Sequence, residues 1–279
     1  MAGADHATPE EDALVRLETV LARLERVVVA FSGGADSALV AAVATRLLGQ
    51  ERVLCATAVS ASLAPDDHRH CAQLASEWRL RWMAVTTQEL DDPDYVRNDL
   101  DRCYHCKREL MDALVPLAAT EGATVVLGVN LDDLDDHRPG QKAAAERGAV
   151  FPLVRARLDK AAVRRLSREL GLRTWDRPAA ACLASRVPHG TPIKLGILDQ
   201  VATAESALRQ LGFAALRVRH YGDLARIEFL LQDLERALSV RDEIVEVVQR
   251  AGYRYVTVDL QGLRSGNLSR AAAAGAGFG

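Results

Sequence analysis

The sequence predicts an α/β protein in which a parallel-sheet domain is followed by a second, smaller α/β domain. Three observations predict it. Short β-branched runs alternate with segments of helical period over the first two thirds of the chain, and a glycine-rich loop, SGGADS, joins the first run to a helix. A long stretch with neither period, WDRPAAACLASRVPHGTPI, then separates that alternation from a shorter set of helices and strands. Strands alternating with helices of about 10–15 residues imply a parallel sheet covered on both faces.

The elements follow in order. Leu14, Leu17, Val20, Leu21 and Leu24 recur at helical spacing between Glu10 and Glu25. RVVVAF, Arg26 to Phe31, has the continuous apolar character of a strand buried on both faces. ALVAAVATRLL reads as a helix, RVLCATAV as a strand, HRHCAQLASEW as a helix and LRWMAVT as a strand. KRELMDALVPLAATEG is then a helix and TVVLGVN a strand, and Leu158 to Leu172 forms a further helix capped by Gly171. Beyond the irregular stretch, ILDQVATAESALRQLGF and RDEIVEVVQRAGY are helical. LRVRH and LARIEFL form a hairpin around Tyr221-Gly222-Asp223, and YRYVTVDL closes as a strand. The expected domains are 1–175 and 176–268, with 269–279 a disordered tail.

The chain has 279 residues, 49% of them apolar and 26% charged, the balance of a globular domain pair. A net charge of −3, with arginines interleaved among acids, lacks the basic stripe of a nucleic-acid binder. A local basic site for a small phosphorylated ligand fits better, so no nucleic-acid partner is expected. No run is long and apolar enough to cross a membrane, and the start, MAGADHATPEED, has no signal-like apolar core. A cytoplasmic location with no membrane partner is expected. In such a reducing compartment the five cysteines (Cys55, Cys71, Cys103, Cys106, Cys182) argue for reactivity or metal binding over disulfides.

SGGADS, Ser32 to Ser37, lies where a buried strand meets a helix. Gly33 and Gly34 let the backbone approach a ligand, Ser32 and Ser37 offer hydroxyls, and the helix N-terminus near Asp36 favours an anion. The loop has neither the lysine of a Walker A motif nor the spacing of a dinucleotide fingerprint. It resembles the PP-loop of the ATP-pyrophosphatase superfamily, with its adenine nucleotide α-hydrolase-like fold. The resemblance implies ATP cleavage between the α and β phosphates, AMP transfer to the substrate and pyrophosphate release. It also implies that Ser32, Gly33, Gly34 and Ser37 cradle the phosphates while Asp36 helps hold Mg²⁺, a hard cation suited to oxygen ligands.

Cys103 and Cys106 form C-Y-H-C at a helix start, where thiol pKa falls, and Cys182 stands alone in the irregular stretch. Zinc would need a fourth ligand, for which His105 or His189 could serve. Cys55 and Cys71 read as small buried side chains. SGGADS, CYHCKREL, LGVNLDDLDDHRPG, ACLASRVPHGT, RVRHYGDLARIE and YRYVTVDLQGLRSG together resemble the LarE-type sulfur transferases, over Ser32 to Gly266. That family sulfurises pyridinium carboxylates of the nickel-pincer nucleotide precursor. Two chemical styles follow from the resemblance. In one, a loop cysteine gives up its sulfur and each protein acts once. In the other, three cysteines hold a [4Fe–4S] cluster whose open iron binds extra sulfide. Cys182 at the sacrificial position, together with Cys103 and Cys106, points to the cluster style, with single-use Cys182 the alternative. The resemblance also implies a homo-oligomer, and sulfide or a sulfur donor as partner.

Arg217 and Arg219 alternate on a strand and so share a face, where they could clamp a mononucleotide phosphate; a solvated edge-strand face is the alternative. Glu228 on the partner strand could orient them or a metal. Arg186, four residues past Cys182, is a candidate for a phosphate or for keeping the thiolate charged. Gly128 ends a strand on the ligand side of an open α/β sheet, a place for a nucleotide contact. Asp132, Asp133, Asp135 and Asp136 resemble a metal cluster, yet such loop acids are usually hydrated. Three rival functions remain: an ammonia-using amidotransferase, a tRNA thiolase and an ATP-binding regulatory module.

Overall fold

The computed structural model describes residues 9–134, 139–177 and 181–264. In chain order its helices and strands are α1 (Pro9–Ala22), β1 (Val27–Ala30), α2 (Ala35–Leu48), β2 (Val53–Val59), α3 (Pro65–Glu77) and β3 (Trp82–Thr86). There follow α4 (Pro93–Arg97), α5 (Arg102–Glu121), β4 (Thr124–Leu127), α6 (Pro139–Glu146), α7 (Pro152–Arg155) and α8 (Lys160–Glu169). The last are α9 (Leu195–Gln210), β5 (Leu216–Tyr221), β6 (Leu224–Phe229), α10 (Leu234–Ser239), α11 (Arg241–Arg250) and β7 (Tyr255–Val258). Asp135, Asp136 and the expected tail 269–279 lie outside the described residues.

The chain divides into two compact units, each discontinuous in sequence. The first comprises 1–60, 67–89 and 103–180; the second comprises 61–66, 90–102 and 181–279. In the first unit, β1 to β4 form a wholly parallel sheet in the order β3-β2-β1-β4, with Val27 opposite both Val53 and Thr124. Both faces are covered at β1, β2 and β4, as the unbroken apolar runs predict, whereas the edge strand β3 is left largely exposed, Met83 among its exposed residues. Val27 and Val29 pack with Leu17, Leu39 and Val163 on one side, and Val28 packs with Met111 and Leu114 on the other. Each fully buried valine contributes about 1.5–3 kcal/mol.

The strand order places a switch point beside β1, because the chain runs outward through β2 and β3 and then returns to β4 on the other side. Ligands of open α/β sheets bind at the carboxyl ends of strands at such a point. The C-terminal end of β1 leads into SGGADS and that of β4 leads into Gly128.

The second unit holds a three-stranded sheet, order β5-β6-β7, with β5 and β6 antiparallel and β6 and β7 parallel. Gly222, at φ +63°, makes the hairpin turn. Val218, Ile227 and Phe229 pack against Leu208 of α9 and Ile244 and Val248 of α11. Arg217 and Arg219 point to the opposite face.

Candidate active site

The phosphate loop is built by backbone constraint. Gly33 takes φ +69°, a left-handed conformation that suits glycine, and Gly34 is the N-cap of α2 without a side-chain cap. The amides at the start of α2 are therefore available to an anion. Ser37 Oγ lies 3.1 Å from Ser32 Oγ, accepts the Ser32 N–H at 3.2 Å and donates to the Gly34 carbonyl at 3.2 Å. The two hydroxyls thus hold the loop closed. Behind it, burial, then Arg177 and Arg173, push the His70 pKa down to about 4, so this ring beside Gly33 is neutral at physiological pH.

Gly128 packs on the same loop. A Cβ there would stand 2.6 Å from Ser37 N and 2.8 Å from the Asp36 carbonyl carbon. Two positions on, buried Asn130 donates through Nδ2 to Asp36 Oδ1 at 3.0 Å, and Lys160 from the start of α8 forms an ion pair with Asp36 Oδ2. Asn130 and Lys160 were not picked out by sequence reasoning. The one available signal is composition: only four of the 35 basic residues are lysines. Two of the loop acids serve the backbone, Asp132 accepting from Lys160 N at 3.1 Å and Asp133 from Asn130 N at 3.1 Å. Asp36 presents a partly exposed carboxylate, an oxygen donor of the kind a hard divalent cation takes.

Cys103 and Cys106 are the second and fifth residues of α5, on one side of the helix at i,i+3 spacing. Cys103 is exposed, and Cys106 Sγ is 3.9 Å from the buried Glu89 carboxylate. Two thiols so spaced at a helix start fit a thiophilic metal or cluster. Cys55 and Cys71 are core residues, their thiols pushed up by burial to about 12 and about 11, and therefore protonated.

Cys182 belongs to the second unit, where it precedes a 3₁₀ turn, Leu183–Arg186, and is half-buried. Arg186 is buried and grips this segment. Its Nη1 donates to the carbonyls of Ala181 at 2.5 Å and Cys182 at 3.0 Å, while Nε and Nη2 pair with Glu205 at 2.8 and 3.1 Å. Glu205, from α9, is wholly buried and also accepts from Arg209 at 2.8 Å and the Val218 N–H at 3.1 Å. Burial would raise its pKa, but Arg186, Arg209 and the Val218 N–H outweigh that and hold it below the ordinary 4.5. Sequence reasoning missed Glu205, because nothing in a helical run of mixed polarity marks the one acid that turns inward.

Arg219 is 2% exposed and pairs with wholly buried Glu228 at 2.8 Å, so a solvated edge face does not describe it. It also donates to the Ser185 carbonyl at 2.8 Å, and Arg226 completes the Glu228 cluster at 3.2 Å. Arg217 is held less firmly, donating to the Arg264 carbonyl at 3.3 Å. Burial, then the charges of Arg186 and Arg219, lower its pKa against the pull of Glu228 and Glu205. A bound anion would relieve that crowding. Arg186, Arg217, Arg219 and Glu228 thus share one cationic region of the second unit, with Cys182 on the segment Arg186 holds.

Because a depressed carboxylate pKa stabilises the fold above its unfolded value, Glu205 contributes fully at neutral pH. That contribution is lost as pH falls through the folded pKa. Glu205→Gln, which strands Arg186, is expected to cost about 3–5 kcal/mol and to flatten the acid limb of stability. Urea unfolding of both proteins across pH checks this.

A parallel sheet with its phosphate loop at the switch point defines a PP-loop nucleotide-binding protein. Residues 13–111 match a family model described as NAD synthase. Along nearly its whole length the chain is similar to an uncharacterized protein of Synechocystis sp., 44% identical over 93% of this chain and 98% of that one. It is 38% identical to the pyridinium-3,5-bisthiocarboxylic acid mononucleotide synthase of Lactiplantibacillus plantarum, over 91% of this chain and 92% of that enzyme. An uncharacterized protein of Methanocaldococcus jannaschii is 25% identical over 86% of this chain and 92% of its own. The chain belongs to the family of that mononucleotide synthase, the LarE-type sulfur transferases. Among the described residues no helix is long and apolar enough to cross a membrane.

Proposed function

We propose that this protein uses ATP to adenylylate the carboxylate of a pyridinium carboxylate mononucleotide and then replaces the adenylate with sulfur, giving a thiocarboxylate. The observation that carries this reading is near full-length similarity to a synthase of the bisthiocarboxylate nucleotide, with SGGADS in place at the end of β1.

In the first step a carboxylate oxygen attacks the α-phosphorus of ATP, the α–β P–O bond breaks and pyrophosphate leaves. The amides of Gly33 and Gly34 and the hydroxyls of Ser32 and Ser37 take up the phosphate charge. Gly128 keeps the loop backbone accessible, and Asp36 would hold Mg²⁺, which shields the phosphates. Arg217, with Arg219 and Arg186 beside it, binds the mononucleotide phosphate, and Glu228 fixes the Arg219 guanidinium. In the second step sulfur attacks the acyl carbon and AMP leaves. Where the sulfur is that of Cys182, this forms a thioester, and loss of the Cys182 Cα proton with cleavage of its Cβ–Sγ bond then releases the thiocarboxylate and leaves dehydroalanine at position 182. A [4Fe–4S] cluster on Cys103, Cys106 and Cys182, drawing on sulfide or another donor, would instead make the sulfur renewable. The first compact unit, which holds most of 1–175, serves as the nucleotide domain, and the second, which holds most of 176–268 together with 61–66 and 90–102, as the substrate and oligomerisation domain of a cytoplasmic homo-oligomer.

Pyrophosphate release tests the reading. With ATP and Mg²⁺ it is expected only when the pyridinium carboxylate is present; release of ADP, or indifference to the acid, contradicts it. Iron analysis of anaerobically purified protein tests the sulfur source. About four irons per chain, lost in Cys103→Ala, support the cluster; none after reconstitution leaves Cys182 as a single-use donor.

A further inference from the structure

We propose that Lys160 is the tethered counter-ion of the phosphate loop: it neutralises Asp36 in the nucleotide-free protein and passes to the ATP phosphates when a divalent cation takes Asp36. The proposal rests on the ATP reading above and assigns that site a residue which neither the loop motif nor its spacing reveals.

Lys160 is separated from Asp36 by 124 positions in sequence, yet its ammonium pairs directly with Asp36 Oδ2. The lysine backbone is fixed on both sides. Asp159 caps α8 by accepting the Ala162 N–H at 2.7 Å, Asp132 accepts the Lys160 N–H at 3.1 Å, and the Leu158 carbonyl accepts the Leu131 N–H at 2.9 Å. Asp36 is fixed as well, by its place in the first turn of α2 and by the Asn130 amide at 3.0 Å. Of the groups around this carboxylate, the Lys160 side chain is the one on a flexible stem, and it is partly exposed.

Charge accounting gives the movement a reason. A bare Asp36 carboxylate in the first turn of the phosphate-binding helix would repel a polyphosphate, and the ammonium cancels that repulsion before ligand arrives. A divalent cation at Asp36 makes the ammonium surplus there, while the incoming phosphates supply several new acceptor oxygens. An ammonium is compact and free to reorient, so it can follow the charge; a planar guanidinium is less able to. Lys160 is thus a competitor of the metal for Asp36 and an ally of the nucleotide. Its removal must change the two affinities in opposite directions, which loss of a merely structural contact would not do.

The experiment uses the full chain and Lys160→Met, with cooperative melting as the check that both are folded. Mn²⁺ alone, followed by its electron paramagnetic resonance signal, reports the carboxylate, and ATP titrated calorimetrically in EDTA reports the phosphate site. Lys160→Met is expected to bind Mn²⁺ about tenfold more tightly and metal-free ATP about tenfold more weakly, with Lys160→Arg recovering part of the ATP affinity. Affinities that are unchanged, or that fall together, overturn the proposal while wild type binds ATP. If wild type itself binds no ATP, the ATP reading fails and the proposal falls with it.

Discussion

Cys182→Ala is expected to reduce thiocarboxylate formation by about 10³-fold or more, while pyridinium-dependent pyrophosphate release continues. The substitution removes one sulfur atom and little else. The Cys182 backbone is held independently of its side chain, since its carbonyl accepts from Ser185 N at 3.0 Å, Ser185 Oγ at 2.7 Å and Arg186 Nη1 at 3.0 Å. The 3₁₀ turn and the Arg186–Glu205 pair therefore survive the change, and thermal stability should move little. The phosphate loop lies in the other compact unit and keeps its hydroxyls and amides. Adenylylation without sulfur transfer is the signature of a protein that activates first and sulfurises second. An amidotransferase would lose nothing on this substitution, because ammonia needs no thiol. Parallel assays of pyrophosphate and of product sulfur separate the two.

Gly128→Ala is expected to abolish ATP binding and to destabilise the fold by about 3 kcal/mol or more, the upper end for overpacking. The added methyl would lie 2.6 Å from Ser37 N, 2.8 Å from the Asp36 carbonyl carbon and 2.9 Å from Ser37 Cα. These are backbone atoms of α2, so no rotamer change relieves the clash. The end of β4 must move away from the loop, taking Asn130 and its bond to Asp36 with it. Gly34→Ala supplies the contrast. Its nearest neighbour would be Ser32 Oγ at 3.6 Å, and its φ of −80° suits any residue. Stability should hold in Gly34→Ala, so any fall in ATP affinity there reports close approach of ligand to backbone. Denaturant unfolding and calorimetric ATP titration of both variants check this.

The parallel sheet was legible because burial on both faces forces unbroken apolar runs, and β1 and β2 display them. The phosphate loop was legible because its chemistry is local: six consecutive residues carry glycines, hydroxyls and a helix start. The short helices α4, α6, α7 and α10 escaped because four to eight residues are too few to show a helical period. Pairings across the chain escaped for a different reason. Lys160–Asp36 and Arg186–Glu205 each join charges whose sequence neighbours give no hint of the partner. The arginine alternation on β5 was visible and gave a shared face, but not the difference along it. Arg219 is sealed by Glu228 and the Ser185 carbonyl, while Arg217 is left crowded among cations. The acids after β4 looked like a metal cluster by composition, whereas Asp132 and Asp133 satisfy backbone N–H groups.

The most direct measurement is mass analysis of the nucleotide product after anaerobic incubation of the protein with ATP, Mg²⁺ and the pyridinium carboxylate mononucleotide. The account predicts AMP and pyrophosphate in equal amounts, together with a product in which one carboxylate oxygen has been replaced by sulfur. AMP and pyrophosphate accompanied by an amide, or by the unchanged acid, would contradict it.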